Sequence, residues 1–187
     1  NITLSGSGAI TNSTAAMNSS AGSISITSSG GAITTSAALS ASGSVTISAE
    51  SASGDVTAGA NITATGTGNA IFLKSKSNIL TSANVTLQSN AGPITLWSDS
   101  GSVNEGGILI ASGVSINSTG GNITLGGGGG SSIPTGYAKA TSSINSASNG
   151  AYSGIRLIGS ISSGAGNFVL RGQDSARVGS TSHNSGI

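Results

Sequence analysis

Along most of this chain an apolar residue alternates with a small hydroxylated one for about four residues, and the unit then returns further on. It is written Asn1-Ile2-Thr3-Leu4, Ser23-Ile24-Ser25-Ile26 and Ser44-Val45-Thr46-Ile47. It comes back as Ala70-Ile71-Phe72-Leu73, Pro93-Ile94-Thr95-Leu96, Asn122-Ile123-Thr124-Leu125 and Gly154-Ile155-Arg156-Leu157, with a variant at Asn167-Phe168-Val169-Leu170. Period-two alternation is the signature of a half-buried strand. One such strand cannot bury its apolar face alone, so copies repeated along a chain are expected to stack on one another.

Cutting before each strand signal divides the chain into seven coils: 1–22, 23–43, 44–68, 69–92, 93–121, 122–166 and 167–187. Most carry three apolar foci. The first has Ile2/Leu4, Ile10 and Met17; the second Ile24/Ile26, Ile33 and Leu39; the third Val45/Ile47, Val56 and Ile62. The fourth has Ile71/Leu73, Ile79 and Val85/Leu87, and the fifth Ile94/Leu96, Val103, Ile108/Ile110 and Val114/Ile116. The last has Phe168/Leu170, Val178 and Ile187. Three inward clusters per turn, separated by Ser-Gly, Ala-Gly and Asn-Ala-Gly corners, describe a triangular coil with three parallel sheets. Glycine supplies the positive φ that corners need, and Asn tolerates it. Seven coils at about 4.8 Å per rung make a rod of roughly 34 Å. The expected fold is therefore all-β, a parallel β-helix (solenoid) forming one segment over 1–187, without any long helix.

The sixth coil breaks the pattern. After Leu125 come Gly126 to Gly130 and a stretch reaching Asn149-Gly150, with Pro134, Tyr137 and Tyr152. Five consecutive glycines do not suit a strand interior, so 126–152 is expected to be a loop excursion thrown out from the rod. Long loops in compact folds are functional or mobile.

Composition narrows the class. A Gly/Ser/Thr-rich chain could be a linker, but mean hydropathy is +0.20 and the aliphatic residues keep register, both unlike disorder. Six Lys and Arg against five Asp and Glu leave a net charge of +1. That argues against a nucleic-acid partner, which needs clustered cations. No apolar run is long enough for a membrane span, and no basic-then-apolar signal segment opens the chain. With no cysteine there is no disulfide framework. Because the chain opens directly on a strand and stops at Gly186-Ile187, we expect a fragment of a longer repeat protein.

Asn-Ile-Thr-Leu, Ser-Val-Thr-Ile and Gly-Gly-Asn-Ile-Thr-Leu, beside Gly-Ser-Ile-Ser-Ser-Gly-Ala-Gly-Asn at 159–167, resemble repeats of filamentous-haemagglutinin-type adhesins. These are exoproteins exported by two-partner secretion or as autotransporter passengers. The resemblance covers most of the chain and rests on degenerate motifs. It implies a right-handed parallel β-helix, an extracellular or bacterial cell-surface location, and a stalk, filament or adhesive role. It transfers no catalytic or binding residue.

Candidate chemistry is sparse. Glycosidases and lyases on parallel β-helices need acids or bases converging on one groove. Glu50, Asp55, Asp99, Glu105 and Asp174 fall at different points of different coils, Asp99 and Glu105 alone lying close, and the single imidazole, His183, sits near the end. No catalytic residue is assigned and no enzyme is expected; a polysaccharide lyase or hydrolase is the least favoured alternative. No cofactor is expected, and no metal, since the Gly-Gly-x-Gly-x-Asp nonapeptide and His or Cys clusters are missing. An ice-binding face is a rival reading, because Thr3, Thr46, Thr95 and Thr124 share an outward column, but Ser25, Phe72, Arg156 and Val169 interrupt it. Seven Asn-x-Ser/Thr sequons, at Asn1, Asn12, Asn18, Asn61, Asn84, Asn117 and Asn122, allow glycosylation, although several place a turn-former before a strand.

Aromatic residues are 3% of the chain, so their placement is informative. Inward Ile94 and Leu96 send Thr95 and Trp97 outward. An offset of 23 residues from the preceding coil then sets Phe72 beside Thr95, Lys74 beside Trp97 and Lys76 beside Asp99. An exposed Trp beside a Lys can form a cation–π contact, and Lys76 with Asp99 a marginal surface salt bridge. Two roles stay open: the ladder covers the sheet or packs under the 126–152 loop, or it is a sugar-stacking or partner-docking patch. The candidate binding residues are Phe72, Lys74, Trp97 and Asp99 on the ladder, with Tyr137 and Tyr152 on the excursion, which also carries Lys139. Expected partners are other copies or segments of the same exoprotein, or a surface receptor or glycan. A carbohydrate-binding solenoid is the other alternative.

Overall fold

A computed structural model of the chain describes residues 1–102, 106–139 and 153–173. Expectations placed on Val103, Glu105, Tyr152, Asp174, Val178, His183 and Ile187 lie outside these residues. Three long parallel sheets wind along one axis. The first stacks seven strands: Ile2–Gly6, Ile24–Ser28, Val45–Ala49, Ile71–Ser75, Ile94–Trp97, Ile123–Gly126 and Phe168–Leu170. The second stacks Ile10–Asn12, Ile33–Thr35, Val56–Ala58, Ile79–Thr81, Ile108–Ile110 and Ile155–Leu157. In the third lie Met17–Ser19, Leu39–Ala41, Ile62–Thr67, Thr86–Asn90, Ser115–Asn117 and Ser160–Ser162. The molecule is a parallel β-helix, and the described residues contain no helix.

Register follows the sequence alternation. Ile24, Val45, Ile71, Ile94 and Ile123 form one inward column, and Ile26, Ile47, Leu73, Leu96 and Leu125 the next. Every one of these residues is fully buried. Burying each such side chain contributes about 1.5–3 kcal/mol, which is why a chain with so few aromatics holds a core. The outward column runs Thr3, Ser25, Thr46, Phe72, Thr95, Thr124, Val169, as the alternation predicts.

Two expectations need correction. Gly154-Ile155-Arg156-Leu157 is not another copy of the first strand: Ile155 pairs with Ile108 in the second sheet. The intervening excursion delays this strand, and composition alone does not say which sheet it joins. Nor is the start of the excursion thrown outward. Gly126 still belongs to a strand, and 127–139 fold back over the first sheet through a Gly127–Gly136 bridge. Ala138–Lys139 then pairs with Gly172–Gln173, and Lys139 bridges to Gly106.

Polar side chains close the corners. Ser89 donates its hydroxyl to Gly92 O at 2.6 Å, Ser163 to Gly166 O at 2.6 Å, and Ser118 to Gly121 O. These serines sit one above another, since Gln88, Asn117 and Ser162 before them are in register. Ser-x-x-Gly is thus a turn closure repeated along one edge. A second ladder heads the first sheet. Asn1 Oδ1 accepts from Ser23 N, Ser23 Oγ from Ser44 N, Ser44 Oγ from Ala70 N, and Asn122 Oδ1 from Asn167 N. Asn1, Ser23, Ser44 and Asn122 thus each tie their coil to the next one, whereas Ala70 and Pro93, which stand at the same place, have no side chain to do so. Among the described residues no helix is long and apolar enough to cross a membrane.

Candidate interaction surface

On the first sheet, the strands Ile71–Ser75 and Ile94–Trp97 place Phe72, Lys74 and Trp97 together, because Lys74 and Trp97 are paired in register. The Phe72 and Trp97 rings meet edge to face at 6.2 Å and 89°, a favoured aromatic geometry. Lys74 Nζ lies 5.5 Å from the Trp97 ring centre, within cation–π range. Of the two roles left open for the ladder, Trp97 takes the covered one: it is 3% exposed. The folded-back loop covers it, and its Nε1–H donates to Gly128 O at 2.7 Å.

The glycine run makes that cover possible. A Cβ on Gly127 would come within 2.5 Å of Tyr137 O. One on Gly130 would lie 2.1 Å from Ile133 O and 3.3 Å from the Trp97 ring. Arg171 Nη1 donates to Pro134 O at 3.1 Å, tying the loop to the next coil. The loop therefore spans three successive coils: Trp97 and Gly106 on the fifth, its own root on the sixth, and Arg171 to Gln173 on the seventh.

Electrostatics on this face centre on Glu50, which the sequence reading left unassigned. Lys74 Nζ is 2.9 Å from Glu50 Oε1, Lys76 Nζ 4.0 Å from Oε2, and Ser48 Oγ donates to Oε1. Burial alone would raise the Glu50 carboxyl. Hydrogen bonds from Lys74 and Ser48, with the attraction of both lysines, outweigh it and hold the group below the usual carboxylate value. The expected Lys76–Asp99 surface pair gives way to this arrangement. The strand ends at Trp97, and Asp99 turns inward at φ +46°, fully buried. Its neighbour Ser98 donates to Gly106 O at 2.9 Å.

Of the candidate binding residues, the structure thus gathers Phe72, Lys74 and Trp97, and buries Asp99 away from the surface. Tyr137, on the loop, is 54% exposed, as is Ile133 at 52%; Tyr152 lies outside the described residues. Asp55 is also structurally engaged, its Oδ1 accepting from Asn78 N and Nδ2 at 3.0 Å. Among the described residues no three of His, Cys, Asp and Glu gather where they could hold a metal ion.

The third sheet presents a feature that motif reasoning missed. A shallow groove of about 280 Å³ is lined by Thr63, Ala64, Thr65, Gln88, Asn90 and Thr119. It arises where the register between Ile62–Thr67 and Thr86–Asn90 shifts at Ser89/Asn90. A scan against protein families, a search of curated proteins and a search of solved structures each find no match.

Proposed function

We propose that this chain is a non-enzymatic structural or adhesive segment of a bacterial surface or secreted exoprotein, a stalk or a building block of a surface filament. The observation that carries the reading is how the ionisable side chains are used. Glu50 is engaged with two lysines, Asp55 with Asn78, and Asp99 is buried at a strained corner, so these acids serve the rod's own architecture. On the first sheet, the outward positions of the first three coils are small neutral hydroxyls: Thr3, Ser25 and Thr46, with Ser5, Thr27 and Ser48 beside them. Such a face suits close lateral packing between rods. The resemblance to filamentous-haemagglutinin-type repeats points the same way and supplies the extracellular location.

Electron microscopy of the native material tests the reading. Isolated rods support a stalk, and ordered lateral or end-to-end arrays support a filament subunit. A polysaccharide hydrolase or lyase turnover abolished by changing one acid would overturn it.

A further inference from the structure

We infer that the groove on the third sheet is a binding site for a neutral saccharide, one or two rings in size. The inference rests on the structural or adhesive reading above and assigns it a ligand class at a place remote from the Trp97 cluster.

The groove is built by an irregularity. Outward residues of the third sheet form a column of neutral hydrogen-bonding groups, Asn18, Ser40, Thr63, Gln88, Asn117 and Ser162. At Ser89/Asn90 the register slips, so Asn90 pairs with Thr67 instead of Thr65. The chain beyond the slip becomes a ledge beside the column. Bulges that re-aim side chains in this way recur next to binding sites.

The ledge is held rigid by its own hydrogen bonds. Asn90 Nδ2 donates to Thr65 O at 3.1 Å and Thr67 Oγ1 at 3.2 Å, which fixes the amide and leaves Oδ1 as an oriented acceptor. Thr119 Oγ1 donates to Ser89 O at 3.1 Å and accepts from Ala91 N at 2.9 Å. Ala91 and Thr119 hold positive φ, at 59° and 49°, an uncommon conformation for residues with a Cβ. Opposite the ledge, the Gln88 amide and the Thr63 hydroxyl are register partners, and neither spends itself on a hydrogen bond among the described residues.

These groups define the ligand. A planar amide offering donor and acceptor together, a hydroxyl, and a fixed acceptor match neighbouring hydroxyls on a sugar ring. The lining has no charged residue, so phosphate, sulfate and sialic acid gain nothing there. A peptide adding as a strand needs free backbone groups, and both lining strands are already paired on each side. The volume lies just below the usual range of about 300–1,000 Å³ for small-molecule sites. With no aromatic platform in the lining, we expect weak binding.

The test is a titration of the full chain, labelled with nitrogen-15, followed by amide correlation spectra. The probes are cellobiose, lactose and diacetylchitobiose, with sialyllactose as the anionic control. We expect saturable movement of the Gln88 and Asn90 side-chain amide peaks with at least one neutral disaccharide, while the Trp97 indole peak stays in place. Gln88→Ala, at an exposed position, should keep the thermal midpoint and weaken that binding at least tenfold. No saturable movement with all three neutral probes, movement with sialyllactose alone, or undiminished affinity in Gln88→Ala overturns the inference. Assay of the same samples for new reducing ends separates the two readings. Binding with cleavage leaves the groove standing and defeats the non-enzymatic reading, whereas ordered native rods without sugar binding do the reverse.

Discussion

Ser118 illustrates what single polar residues do in this rod. It is fully buried at a corner, and its hydroxyl satisfies Gly121 O while lying 3.3 Å from Ser163 O of the next coil. Ser118→Ala strands that carbonyl in the interior, and we expect a loss of about 1–3 kcal/mol in urea unfolding. Ser40→Ala, at a half-buried outward position, should stay within about 0.5 kcal/mol. Equal losses at both would mean the corner bond carries no weight. Glu50 gives the residue-scale pH dependence. Its folded carboxyl sits below its ordinary value, so its contribution is complete above the ordinary carboxylate range and is lost as pH falls through the depressed value. We expect Glu50→Gln to lower the urea midpoint slightly near neutral pH, with the difference shrinking as the solution is acidified below the ordinary carboxylate range; the cluster is partly exposed, so the effect is small. A larger penalty in acid than at neutrality would contradict this sign. At this scale the apolar residues were legible in the sequence and the polar ones were not. Alternation reports which side chains point inward. Whether an Asn or Ser is a turn-former or a tie to the next coil depends on which coil lies above it, and local pattern does not contain that.

At the scale of elements, the folded-back loop decides what the first sheet offers to a partner. The 23-residue offset predicted the Phe72–Thr95 and Lys74–Trp97 neighbours correctly, because both strands keep register that far. It failed at Asp99, since the strand stops at Trp97 and the chain turns inward. Burial of Trp97 was one of two readings the sequence allowed, and the glycine run is the signal that could have favoured it. Glycines there permit close approach of the loop to the sheet. Gly130→Ala puts a methyl group against Ile133 O and the Trp97 ring, so the loop must shift. Overpacking of this kind costs about 1–3 kcal/mol. We expect the thermal midpoint to fall and Trp97 fluorescence, from the chain's single tryptophan, to move to longer wavelength as water reaches the indole. Unchanged emission would mean that the loop does not seal the ring.

For the whole molecule, each coil contacts chiefly the ones before and after it, and the same inward residues recur at each rung. Stability in such a stack is close to a sum of coil terms and nearest-neighbour terms. The number of coils and the three-sheet plan were therefore readable from periodicity, whereas the placement of Ile155–Leu157 was not, because a long insertion resets the count. This view makes a demanding prediction. Deleting 23–43, one full coil, joins Gly22 to Ser44 and brings Ile2 opposite Val45, Ile10 opposite Val56 and Met17 opposite Ile62. The pairs are chemically equivalent to those lost, since Ile24, Ile33 and Leu39 are themselves the current partners of Val45, Val56 and Ile62. The tie at the head of the first sheet is also preserved: Asn1 Oδ1, which now accepts from Ser23 N, would accept from Ser44 N. We expect a shorter rod with unchanged strand-type circular dichroism and a modestly lower midpoint. Deleting only 23–32 removes one strand of the first sheet, leaves Ile33 and Leu39 in the chain, and drives the remaining strands out of register. That variant should unfold or aggregate. If both deletions fold alike, or both fail alike, stability does not reside in the coil-by-coil register described here.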